Sequence, residues 1–266
     1  MVSNISTTSY IKRPSLDDFL QYGSKPRHLS DAEIKELQNS EQIFSDCYLT
    51  AGVDALTRSE NGKKLLKNNI SKNPYNPNIV TYSFYSPDGK KEDFTVNVTP
   101  QNSKYEKLNR EQKNGTIRGL DLSVVEFEKK YNTKPFICKF SGLFKKYKFE
   151  NYLPSRFLKL ITGIEPTTIA ETDFNINLTK HKEEVLKLFK RMSNNEKDYS
   201  FVIMNGLKKF NGRRFHVYVI ENVDMNKQEI SIKNKRGNIT QTISFDEALK
   251  TFKSISGYFN KDLAAE

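Results

Sequence analysis

The chain has 266 residues, enough for one large domain or for two lobes sharing a cleft, and its 36% apolar content with 18 Phe and 13 Tyr supplies a sizeable core, which excludes a wholly disordered chain. The net charge is +11, but the lysines are dispersed and interrupted by acids, and no base-stacking pattern of an RNA-recognition module is visible. The runs at 145–148, 180–191 and 206–214 therefore read as solvated faces, and nucleic acid is not the expected partner. No segment approaches the roughly 18 consecutive apolar residues of a membrane span. The opening MVSNISTTSYIKRPS has no apolar stretch to serve as a signal-peptide core. The expected location is the cytoplasm, or the outside by a route without a standard signal peptide.

In chain order, residues 1–29 carry weak periodicity and several turn formers and read as a flexible arm. Ser30 and Glu33 form a capping box that opens a short helix over about 31–39. After the loop-like QNSEQIFSD, Asp46 suits an N-cap, so the next helix should begin at Asp46 or Cys47, with Leu49, Val53 and Leu56 on its buried stripe. Asn61-Gly62 marks its end or a kink. The period then changes: residues 79–98 read as strand, Pro-Asp-Gly turn, strand. Helices are expected over 121–131, over 154–161 with Gly163 as the stop, and over 180–192. The last quarter is β-rich, with strands at 200–205, 213–223 and 228–234, and a second capping box at Ser244 and Glu247 opens a helix to about residue 252. Helices first and sheet last predict an α+β protein with two lobes, divided as 30–195, mainly helical, and 196–266, β-rich.

There are two cysteines, Cys47 and Cys138, outside any CxxC spacing, so neither a metal cluster nor a disulfide framework is expected. Cys138, in the apolar run PFICKF, reads as a core residue. Cys47 sits at a predicted helix N-terminus, where unpaired N–H groups and the helix dipole favour a thiolate. Taken singly, Cys47 is as well explained as a small core residue, His216 as a structural residue of a strand and Asn234 as a turn former. Taken together, a cysteine on an early helix and a histidine and an asparagine on successive late strands can meet across a cleft. His28 falls in the arm and His181 on a charged helix, so neither competes for this role.

Five segments resemble the calpain-like cysteine peptidases. Asp46-Cys47-Tyr48-Leu49-Thr50-Ala51, running into Val53-Asp54-Ala55-Leu56, resembles their nucleophile helix. Phe215 to Ile220 resembles the histidine strand, and Ile232 to Gly237 the asparagine segment. LSVVEFEKK at 122–130 and Leu160-Ile161-Thr162-Gly163 are similar to two further family segments, and all five fall in the family's order over residues 38–256. The resemblance implies a papain-like two-lobed fold, with a helical N-terminal lobe and an antiparallel β C-terminal lobe. It also implies a cysteine endopeptidase acting on protein or peptide through Cys47, His216 and Asn234. No cofactor is expected; calcium enters through the resemblance alone. The family's oxyanion-hole glutamine lies six residues before the cysteine, where this chain has Glu41, so the neighbouring Gln42 is the expected donor. No tryptophan is present, and Tyr48 and Arg236 stand where the family often has one. These departures keep open an alternative: a catalytically impaired papain-fold binding module, or a thiol acyltransferase.

Overall fold

The computed structural model describes residues 26–42, 47–99, 114–131, 153–170, 177–194, 198–206 and 208–264. The described elements begin with β1 (Arg27–His28), α1 (Asp31–Asn39), α2 (Cys47–Leu56), α3 (Glu60–Asn69) and β2 (Ile70–Lys72). The hairpin β3 (Ile79–Tyr85) and β4 (Lys91–Asn97) follows, then α4 (Gly115–Tyr131), α5 (Pro154–Thr162) and β5 (Thr167–Ile169). A 3-10 turn at Leu178–His181 leads into α6 (Lys182–Asn194), β6 (Tyr199–Asn205), β7 (Val217–Asp224), β8 (Glu229–Asn234), β9 (Ile239–Ser244), α7 (Phe245–Thr251) and β10 (Phe252–Phe259). Among the described residues every strand pair is antiparallel, and the combination of helices with antiparallel sheets is compatible with an α+β class. Among the described residues no helix is long and apolar enough to cross a membrane.

Two cores organise these elements. The first sheet has the order β1-β2-β3-β4. Its β3 alternates, with Val80, Tyr82 and Phe84 buried, and Phe84 and Phe94 pack on Phe127 of α4. The second sheet, β5-β10-β6-β7-β8-β9, is covered on both sides in its middle: every residue of β6 and of β10 is buried. One face, through Val202, Met204, Val217 and Val219, joins the core of α2, α3 and α5; the other meets α6 and α7 through Val185, Phe189, Phe245 and Leu249. Helix α2 lies in the seam between the two sheets with all ten of its residues buried, packed on β6, β7, α5 and α1. Gly52 allows this closeness, because a Cβ there would stand 2.7 Å from the Phe157 ring of α5.

Several elements differ from the sequence expectation. The strand at 213–223 begins only at Val217, because Phe215 takes φ 50° and turns the chain. His216 therefore precedes the strand. Helix α4 starts at Gly115, since Asn114 Oδ1 accepts from the N–H groups of Thr116 and Ile117 and caps it there. Asn61-Gly62 lies in the first turn of α3 and ends no helix; Ser59 caps α3 by accepting from the Gly62 N–H. The arm does not extend to residue 29: β1 pairs with β2, and Leu29 is buried. Strand β5 pairs with β10 and α6 packs on the second sheet, so both contribute to the second core although they precede residue 195. Asp46, Cys138 and the run at 145–148 lie outside the described residues.

Candidate functional site

Cys47 is the first residue of α2 and 2% exposed. Its thiol donates to the Phe215 carbonyl at 3.9 Å, which brings the sulfur to the peptide group just before His216. The segment leading toward Cys47 is stitched to the turn after β8. The Gln42 N–H donates to Lys235 O at 2.9 Å, Glu41 Oε1 accepts from the Gly237 N–H at 2.8 Å, and Asn238 Nδ2 donates to Asn39 O at 2.9 Å. Of the two residues weighed as an oxyanion donor, Glu41 is exposed with its carboxylate spent on this turn, and Gln42 is buried.

His216 is held by its backbone first. The buried Asn205, last residue of β6, accepts the His216 N–H on Oδ1 at 2.7 Å. The same side chain donates through Nδ2 to Lys208 O at 3.0 Å and Arg213 O at 2.7 Å. The imidazole stands edge-on to Tyr218, with ring centroids 4.8 Å apart. Its Nε2 lies 2.8 Å from Asn234 Oδ1, and that oxygen also accepts the Arg236 N–H at 3.0 Å. A backbone N–H can only donate, so the atom facing it is oxygen; the same oxygen faces Nε2, which must then carry the proton. Neutral His216 is thereby fixed with Nδ1 as an acceptor. Burial pushes the imidazole pKa down from 6.5 to about 4, the Asn234 bond partly opposes this, and the Arg213 and Arg236 charges add to it.

The chain neighbours of Asn234 enter a buried charge cluster. Asp54, seven residues beyond Cys47 and so about two turns along α2, is fully buried. Its Oδ2 meets Lys235 Nζ at 2.9 Å and Lys233 Nζ at 3.2 Å, and its Oδ1 accepts from Arg58 Nε at 2.9 Å. Arg58 continues to Glu221 at 2.7 Å, and Lys235 also donates to Gln38 O at 2.6 Å. Burial lowers the Lys235 pKa, and Asp54 opposes the shift. The two lysines flank Asn234 in the chain, so Asp54 ties the asparagine's strand to the cysteine's helix. Sequence reasoning did not assign a role to Asp54 or Asn205. Their signals were a carboxylate in an otherwise apolar helix and an Asn closing the apolar run SFVIM.

The remaining histidines stand apart. His28 Nδ1 contacts Lys67 O at 2.8 Å, and His181 lies 3.4 Å from Glu184 at the start of α6. Among the described residues no group of three or more His, Cys, Asp or Glu is arranged to hold a metal ion. No protein-family model matches the chain, and no curated protein does.

Proposed function

We propose that the protein is a cysteine endopeptidase with a papain-like two-lobed fold of the calpain-like branch. The supporting observation is the doubly accepting Asn234 oxygen, which leaves His216 in the neutral tautomer whose Nδ1 is an acceptor, while the thiol of Cys47, at a helix N-terminus, meets the carbonyl of the preceding residue, Phe215. Cys47 attacks a peptide carbonyl and its proton passes to Nδ1 of His216. The tetrahedral oxyanion is met by the Cys47 backbone N–H and the Gln42 side-chain amide; one such donor lowers the barrier by roughly 3–4 kcal/mol. The imidazolium then gives its proton to the leaving amine, and the thioester is hydrolysed by water that His216 deprotonates. Asn234 accepts from Nε2 throughout and keeps the ring turned.

The test is cleavage of an unfolded protein substrate by the wild type, Cys47→Ala and His216→Ala. Loss of cleavage in both variants, with unchanged circular dichroism, is the expected result. Full cleavage by Cys47→Ala contradicts the assignment. A folded, inert wild type leaves the binding-module alternative standing.

A further inference from the structure

We infer that the substrate-binding surface beside His216 is built for acidic peptide, with Asp or Glu side chains near the bond to be cut. The inference rests on the reading of Cys47, His216 and Asn234 as the catalytic residues. The segment from Gly206 to His216 carries Lys208, Lys209, Arg213 and Arg214 and not one acid, and Arg236 approaches from the other side, two residues past Asn234. None of these five side chains is ion-paired within the described residues, and all five fall within two short segments on either side of His216 and Asn234.

The cations are held in place. Asn211 and Gly212 both take positive φ, 52° and 75°, and close a two-residue turn in which the Phe210 and Arg213 backbones exchange hydrogen bonds of 2.8 and 3.0 Å. Phe210 anchors the turn by packing edge-on to Tyr218 and Phe252, and Asn211 bonds Gln241. Asn205 ties the Lys208 and Arg213 carbonyls to the His216 N–H. The loop's position is thus locked to the histidine's. The Arg236 N–H bond to the Asn234 oxygen does the same on the other side. Both arginines are felt at the imidazole, where each disfavours its protonation. Clustered like charges repel, and no partner in the described residues offsets that cost, whereas a carboxylate of a bound peptide would. Nucleic acid fits less well: Phe210 is buried, leaving only the half-buried Phe215 as a stacking surface on the loop.

The experiment uses the full chain carrying Cys47→Ala, so that nothing is turned over. Fluorescein-labelled peptides of equal length, Glu-rich, Gln-rich and Lys-rich, and a single-stranded oligonucleotide are titrated by anisotropy at low and at physiological salt. The Glu-rich peptide is expected to bind at least tenfold more tightly than the Gln-rich one at low salt and to lose affinity with salt. Arg213→Gln and Arg236→Gln should each weaken it about three- to tenfold, while Lys190→Gln on α6 leaves it unchanged. Equal binding of the Glu- and Gln-rich peptides overturns the inference. So does indifference to both arginine substitutions, or an oligonucleotide that binds as tightly and is lost in the same variants. Because the nucleophile is absent, failure here leaves the chemistry at Cys47 standing, and failure of cleavage leaves this binding result standing.

Discussion

Two groups of cations meet at Asn234 and live under opposite rules. Lys233 and Lys235 are buried, and both converge on Asp54, within 3.2 Å. Arg236, the next residue, and the four cations of the 206–216 segment are unmatched, and only Arg213 is even partly covered. A buried ammonium without a counter-charge is costly, so the first group had to be neutralised within the fold. An exposed one is solvated and can be left open at small cost. The difference separates charge that holds the site together from charge that remains available to a ligand, and it does so within four consecutive residues, Lys233 to Arg236.

The largest expected effect tests the first group. Asp54→Ala leaves two lysines and an arginine without their shared carboxylate and should lower the unfolding free energy by about 3–5 kcal/mol in urea denaturation. Adding Lys235→Met to that variant should recover part of the loss; no recovery would mean that Asp54 acts through something other than these charges. The next test sits at the histidine between the two groups. Its folded pKa of about 4 lies below the ordinary 6.5, so the unfolded chain takes up the proton first. Stability should be intact above about pH 6.5 and fall by up to about 3 kcal/mol as the pH drops to 4. His216→Gln should flatten the curve in that window, and an unchanged curve would remove burial as the cause. A smaller effect is expected at the hinge of the exposed group. Asn205→Ala orphans the buried His216 N–H and should cost about 2 kcal/mol in the same denaturation experiment. It should also weaken the Glu-rich peptide, because the loop is released. Smallest is the exposed group itself: Arg236→Gln should change stability by less than about 0.5 kcal/mol. A larger loss would show that this cation, too, serves the fold.

What the sequence disclosed follows the range of the interactions involved. The Ser30–Glu33 capping box, the start of α2 at Cys47, the 79–98 hairpin and the Gly163 stop depend on neighbours a few residues away, and each appears where the local pattern puts it. The adjacency of His216 and Asn234 was also legible, because a short turn joins β7 to β8. Other features rest on pairings distant in the chain. Strand β10 inserts between β5 and β6, which draws Ile169 of β5 and Leu178, Val185, Phe189 and Met192 around α6 into the second core. Asn205 earns its place through a loop that reverses direction twice, at Asn211-Gly212 and at Phe215, and no periodicity signals positive φ at a phenylalanine. Asp54 reads as one polar residue in an apolar helix until the lysines about 180 positions later come to meet it. At the candidate site, the approach of Asn234 to His216 was readable. The shared oxygen of Asn234, and with it the tautomer of the histidine, was not.

The central claim is that Cys47 and His216 act as one unit. Its most direct measurement is the rate of Cys47 alkylation by iodoacetamide as a function of pH, read on the Cys47 peptide by mass spectrometry, in the wild type and in His216→Gln. The wild-type rate is expected to rise well below the ordinary thiol range near 8.5, and the substitution to return that rise to it. Identical profiles in the two proteins, or a native Cys47 that does not react at any pH at which the protein is folded, would contradict the account.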